Sequence, residues 1–333
     1  MDNNYADMML EQLFCEHPHA REFFGAIGLS ALPEGQTLGN TVAALDEELL
    51  LDVGIERHDL LRQFRDYMAG MEQLRNQQQA MVASVTVLGG HDKSGNLENF
   101  KLELRPGEVT CIVGPTGSGK SRFLADIEWL AQGDSPTGRS VLINGTVPDL
   151  ARRYAVEQKL VAQLSQNMNF VMDLSAEEFI RLHAESRMVT DPSAITATIL
   201  DLANSLAGEQ FIPTTPVTAL SGGQSRALMI ADVACLSSSP IVLIDEIENA
   251  GIDRKRALEL LADQDKIVLM ATHDPILALM GQRRLIFKNG GVASIRSTSP
   301  AERANLALFE QMDARLTMVR NALRNGEEIA GNW

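Results

Sequence analysis

An α/β fold preceded by a small all-α region is predicted, and three observations predict it. A glycine-rich turn, Gly114-Pro115-Thr116-Gly117-Ser118-Gly119-Lys120-Ser121, joins a short apolar run to a helix-patterned one. Two further apolar runs, Ile241-Val242-Leu243-Ile244 and Ile267-Val268-Leu269-Met270, read as buried strands within an alternation of strand and helix. Residues 1–72 carry only short helical periodicities.

In chain order, Met8 to Phe14 is apolar at helical spacing, a second helix is expected over Pro18 to Ile27, and Thr37, Asp46 and Arg57 each precede a further apolar-periodic stretch. An acidic helical domain is expected over residues 1–72. Residues 73–81 include three consecutive glutamines, have no strong core pattern, and read as a linker or the frayed end of a helix. The main domain is expected over 82–295. Val82 to Leu88 and Leu97 to Leu104 alternate like half-buried strands, and the turn Arg105-Pro106-Gly107-Glu108 feeds a buried strand, Val109 to Val113. Ser175 to Ala207 is helical in pattern with an interruption near Pro192, which predicts a helical subdomain over about 167–237. A C-terminal extension, 296–333, carries a helical stripe at Ala304, Leu308, Met312, Leu316, Val319 and Leu323, expected to pack against the main domain.

The 333 residues are 45% hydrophobic, ample for a large domain or two modest ones. No stretch approaches the roughly 18 uncharged apolar residues of a membrane span, and Met1-Asp2-Asn3-Asn4 lacks the basic and apolar regions of a signal peptide. The expected location is cytoplasmic, with any attachment to the inner face of a membrane made through another chain. Cys15, Cys111 and Cys235 are too scattered for a disulfide framework or a four-ligand zinc site. The net charge is −15, and residues 1–80 hold 14 acids against 5 arginines, a surface that repels nucleic acid.

A strand ending in Gly-x-x-x-x-Gly-Lys-Ser and opening a helix is a phosphate cradle. Gly114, Gly117 and Gly119 allow a close backbone approach, so that successive N–H groups of the run Gly114-Pro115-Thr116-Gly117-Ser118-Gly119 converge on a phosphate. Lys120 adds a cation for the β- and γ-phosphates, Ser121 offers a hydroxyl to Mg²⁺, and the helix from Arg122 onward aims its positive end at the same anion. Farther on, Ile241 to Ile244 leads into Asp245-Glu246, an apolar strand ending in paired carboxylates. Alternation points the two acids in opposite directions, so that one can hold Mg²⁺ while the other faces water; we assign Asp245 to Mg²⁺ and Glu246 to the attacking water as general base. Paired acids at a strand end are commonplace, and it is the phosphate cradle upstream that gives these two their weight. Leu220-Ser221-Gly222-Gly223-Gln224 precedes a helical run, Ala227 to Cys235, and makes an exposed, positively polarised helix start, an anion site without its own anion.

Taken together, the cradle, the Asp245-Glu246 strand and the Leu220–Gln224 turn resemble an ATP-binding cassette (ABC) ATPase over about residues 82–295. The resemblance implies a P-loop NTPase core of ABC type, with a mixed sheet and a helical subdomain, acting on ATP with Mg²⁺. It further implies that Leu220, Ser221, Gly222, Gly223 and Gln224 close over ATP held by a second cassette, in a head-to-tail homodimer or paired cassette. Gln166 resembles the glutamine that reaches metal and water, Asp253 the aspartate that crosses the dimer interface, and His273 the histidine that contacts the γ-phosphate. Two departures stand out. Where many cassettes place an adenine-stacking aromatic this chain has Gly89-Gly90-His91, so that either His91 stacks weakly on the base or the base is held otherwise, and the proline that transporter cassettes commonly place after the glutamate is missing behind Glu246. On the second departure and the 80 additional N-terminal residues, the first expectation is a soluble ATPase that remodels or activates a protein partner. The alternative is the ATP-binding subunit of a membrane transporter.

Overall fold

The computed structural model describes residues 5–17, 19–29, 32, 35–46, 50, 54–78, 82–149, 153, 159–165, 170–245 and 251–329. The chain divides into two compact units, residues 1–80 with 184–192, and residues 81–183 with 193–333.

The first unit is helical: α1 (Leu10–Glu16), α2 (Ala20–Ala26), α3 (Leu38–Ala44) and α4 (Arg57–Gln78). Thr37 starts α3 as its N-cap, its side chain accepting from Asn40 N at 3.3 Å. The apolar positions read from the sequence converge on one core in which Leu13, Leu38, Leu60 and Phe64 have no exposed surface. The helix expected after Asp46 falls largely outside the described residues. Of residues 73–81, read as a linker or the frayed end of a helix, those as far as Gln78 form the end of α4, and 79–81 lie outside the described residues.

The second unit has two sheets. A three-stranded antiparallel sheet has the order β2 (Lys101–Leu104), β1 (Val85–Leu88), β4 (Ser140–Ile143). A six-stranded sheet has the order β5 (Val161–Leu164), β6 (Ile241–Asp245), β7 (Ile267–Ala271), β3 (Val109–Val113), β8 (Arg283–Lys288), β9 (Gly291–Ser297), and is parallel except for the β8–β9 hairpin. The runs at 241–244 and 267–270 are continuously apolar because both faces of these strands are covered. Ile241, Leu243, Ile267 and Leu269 join one core with α5 (Lys120–Glu128) and the small sheet. Val242, Ile244, Val268 and Met270 join another with α8 (Gly222–Cys235) and α9 (Arg254–Asp263).

The helical stretch from 175 to 207 resolves into α6 (Ala176–Ser186) and α7 (Pro192–Leu206), with Pro192 opening the second helix, where its missing N–H costs nothing. The small sheet is shorter than expected, since Leu97 is 87% exposed and β2 begins only at Lys101. The Asp92 carboxylate accepts from Ser94 N at 2.8 Å and Asn96 N at 2.9 Å, and beyond this turn the chain pairs only irregularly, with Glu98 N donating to Gly90 O at 2.8 Å and Gly89 N to Phe100 O at 3.0 Å, before β2 begins.

After α10 (Pro275–Met280), the C-terminal extension forms α11 (Pro300–Arg324). Its expected apolar contact is corrected by the structure. Leu308, Met312, Leu316 and Leu323 are each more than half exposed. The helix docks instead by a charged seam, in which Arg284 donates to Glu302, Lys255 to Glu310 at 3.0 Å, and Arg254 to Asp313 at 2.9 Å. Spaced three and eight residues apart along α11, Glu310 and Asp313 with Glu302 line one side of the helix and leave the apolar stripe facing solvent.

Candidate functional site

The parallel register decides where the site lies. Ile112 pairs with Ala271, and Ala271 with Asp245, so β3, β7 and β6 end at one level. The turns leaving those ends carry Gly114, His273 and Asp245, the place where ligands bind in open α/β sheets.

The cradle is built by close packing of backbone. A Cβ on Gly119, whose φ is +105°, would lie 2.8 Å from Gly290 Cα, and one on Gly114 would lie 2.6 Å from Phe287 O. Glycine is required at both because the β8–β9 hairpin presses against the loop, with Gly290 N donating to Ser118 O at 2.8 Å. Pro115, Thr116 and Gly117 are exposed, as are Ser121 and Arg122 in the first turn of α5. Ser118 is buried, and its Oγ has no hydrogen-bond partner. A buried hydroxyl without a partner at the rim of an anion cradle is a donor waiting for an acceptor. The residues therefore fit a phosphate group.

Lys120 is 6% exposed and its ammonium folds onto the loop, donating to Gly114 O at 2.9 Å and Pro115 O at 3.2 Å. It also stands 3.3 Å from His273 Nε2. Two residues separated by 153 positions are thus brought together at the cradle. His273 is exposed, and the turn around it is fixed by Asp274, the N-cap of α10, which accepts from Ile276 N at 2.8 Å while Asp274 N donates to Thr272 Oγ1 at 3.0 Å. Asp245 is half-buried at the end of β6. Glu246 and Gln166 lie outside the described residues.

Ser221 caps α8 in a complete capping box, with Ser221 N donating to Gln224 Oε1 at 2.8 Å and Gln224 N to Ser221 Oγ at 3.3 Å. The Gln224 amide also reaches Glu209 O and Gln210 O at 3.3 Å. Ser221 and Gly222 are exposed, and Leu220 and Gly223 half-buried. The Asp253 segment is laced to the same neighbourhood: Asp253 N donates to Leu206 O at 2.8 Å and Gly208 N to Gly251 O at 3.0 Å, and a Cβ on Gly251 would lie 3.9 Å from Gly223 Cα. Asp253 itself is the N-cap of α9, accepting from Arg256 N at 3.1 Å. Among the described residues, no hydrogen bond joins the Ser221–Gln224 turn to the cradle.

His91 is half-buried; its backbone N–H donates to Thr137 O at 2.8 Å, and its ring lies against Gly138. Two residues on, Lys93 Nζ donates to Gly117 O at 2.7 Å, so the loop bearing His91 flanks the cradle. Sequence reasoning missed both Lys93 and the arginine behind this loop. Arg139 is fully buried and donates to Glu98 at 2.7 and 2.9 Å, to Asp126 at 3.0 Å and to Gly290 O at 2.9 Å. Burial raises the Glu98 carboxyl's affinity for a proton, but hydrogen bonds from Arg139, Val292 N and Gly90 N, with the guanidinium charge, outweigh it and hold the pKa below its usual value. A lone arginine in a run of polar residues gives no sequence signal for such a role.

A family model described as ABC transporter matches residues 97–249. An uncharacterized ABC transporter ATP-binding protein of Methanocaldococcus jannaschii is 49% identical over 249 residues, which cover 74% of this chain and 95% of that one. The chain belongs to the ATP-binding cassette family. It is an ABC ATPase, and its reaction is ATP hydrolysis. A thiamine import ATP-binding protein of Chelativorans sp. is 30% identical over 231 residues, 67% of this chain and 89% of that protein. The solved structure of cbiO1 from Clostridium perfringens, described as part of an ABC transporter complex, shares the fold of this cassette with a TM-score of 0.52 at 20% identity, covering 72% of this chain and 98% of that one.

Proposed function

We propose that this chain is the ATP-binding subunit of an ABC membrane transporter, and that two cassettes close head to tail on two ATP molecules and reopen on hydrolysis. The hydrolytic site rests on one observation, the meeting of Lys120 and His273 beside a cradle whose Ser118 hydroxyl lacks an acceptor. In this reading Gly114 to Arg122 hold the phosphates, with Lys120 exchanging the carbonyls of Gly114 and Pro115 for phosphate oxygens. His273 contacts the γ-phosphate, and Glu246 takes a proton from the attacking water. His91 faces the base.

Ser121 and Asp245 supply hydroxyl and carboxylate oxygens, donors suited to Mg²⁺, and Gln166 completes the set. Such an ion would neutralise charge on the phosphates. From the second cassette come Leu220 to Gln224, whose exposed helix start supplies a positive end, and Asp253.

The names of the relatives favour transport over the soluble remodelling role, since both curated proteins are described as ATP-binding proteins of transport systems. No helix among the described residues is long and apolar enough to cross a membrane, so the spanning part belongs to another chain in this reading, with the cassette on the cytoplasmic face. Glu246→Gln keeps shape and removes basicity. It is expected to retain ATP binding, trap the closed dimer and lower turnover at least roughly 10²-fold. Unchanged turnover would refute the base. With ATP present, the trapped protein is expected to copurify with an integral membrane chain, and exclusive recovery with a soluble partner would return the function to protein remodelling.

A further inference from the structure

Arg254, the residue after Asp253, divides its guanidinium between two carboxylates: Asp274, adjacent to His273, and Asp313 on α11 at 2.9 Å. The three side chains are 25%, 11% and 33% exposed, so this is a partly shielded junction rather than a solvated surface pair. One residue on, Lys255 takes Glu310, one turn before Asp313. Around the clamp, Ile252, Ile276, Phe309 and Met312 line a groove of about 860 Å³. Three pieces meet at one side chain: the helix after the Asp253 segment, the turn that carries His273, and the C-terminal helix.

We propose that Arg254 is a positioning residue for ATP hydrolysis: it locks the His273 turn to α9 and α11, so that the docking of α11 sets the place of His273 at the γ-phosphate. The inference rests on the reading of His273 given above. Asp274 is already held on its other side as the cap of α10, so a pull from Arg254 turns the 272–274 backbone as a piece instead of being absorbed by a loose side chain. Arginine is required because its planar fork reaches two carboxylates at once, whereas a lysine ammonium is a single point charge. Neither Arg254 nor Asp313 touches the cradle, which predicts an effect on turnover without one on ATP affinity.

The test uses the full chain. Asp313→Asn and Arg254→Lys are each expected to lower kcat about 3- to 30-fold, inside the roughly 10²-fold that a misplacement of an ångström costs. KM for ATP is expected to stay within about twofold, and the double variant to lose no more than the worse single one, as for groups acting through one contact. An ion pair that only stabilises the fold predicts a lowered melting midpoint with kcat per folded molecule intact. That result, or a change carried by KM, overturns the proposal. His273→Ala separates the premise from the inference. If it hydrolyses ATP at the wild-type rate, the role of His273 falls and the proposal with it. If it is inactive while both clamp variants keep their kcat, only the clamp is refuted.

Discussion

Arg139 shows what one residue does for this site without touching it. Its guanidinium ties Glu98, Asp126 and the hairpin carbonyl of Gly290, and lies 5.2 Å from the Phe123 ring centroid and 5.7 Å from that of Phe287. Gly290 is the residue against which Gly119 packs, so the network braces the cradle from behind. Removing the cation leaves Glu98 and Asp126, 3% and 1% exposed, as uncompensated carboxylates. Arg139→Met is therefore expected to cost about 3–5 kcal/mol, the range for breaking a buried pair by deleting one partner. Arg139→Lys recovers little of it, because an ammonium cannot reach both acids and the carbonyl. Urea unfolding of the two variants measures this, and a loss below about 1 kcal/mol for Arg139→Met would show that the acids find other partners. The cradle pattern was legible because close backbone packing restricts Gly114 and Gly119 to glycine, and a cation and a hydroxyl follow at fixed spacing in Lys120 and Ser121. Arg139 was not, because its partners lie 13, 41 and 151 residues away and no local pattern brings them together.

At the scale of elements, α11 illustrates how a periodicity can be read correctly and its partner wrongly. The helix is where the stripe from Ala304 to Leu323 placed it, yet that stripe faces solvent, because the docking face was written in acids that pair with Arg284, Lys255 and Arg254. Exposed charges on a helix carry no sequence mark that distinguishes a seam from a solvated face. The start of α11 is a capping box: Ser299 N donates to Glu302 at 2.8 Å, and Glu302 N to Ser299 Oγ at 3.2 Å. The backbone hydrogen bond from Ser299, then the bond from Arg284, take the Glu302 carboxyl down to about 2. A depressed folded-state value means that its ionised form stabilises the docked helix above the unfolded pKa, near 4.5, and that this contribution is lost as the pH falls through about 2. Comparing wild type with Glu302→Gln, the difference in melting midpoint is expected to be constant above about pH 5. It should shrink below that and vanish near pH 2; a difference that survives unchanged at the acid end would mean that shape, not charge, holds the cap.

At the scale of the whole chain, the hydrophobic residues sort into separate cores. The aromatic cluster around Phe24 and Phe64, whose rings stack at 5.2 Å, draws only on residues of the first unit. The two clusters flanking the six-stranded sheet draw only on residues beyond 81. Composition marks a helical, acidic stretch giving way to apolar strand runs, whereas the grouping of 184–192 with the first unit has no mark in the sequence. Among the described residues the clusters share no member, and distinct cores can unfold as distinct cooperative units. Phe64 is fully buried, and Phe64→Ala costs about 3–5 kcal/mol by the cavity it leaves, a large share of what a domain of this size possesses. Calorimetry of the full chain is accordingly expected to show two transitions. Phe64→Ala should abolish one at 25 °C and leave the other within a degree or two, whereas ATP with Mg²⁺ should raise only that second transition, since a ligand stabilises the unit that binds it. If both perturbations move a single shared transition instead, the helical unit is energetically part of the ATPase, and its stability would then respond to nucleotide as directly as the cradle does.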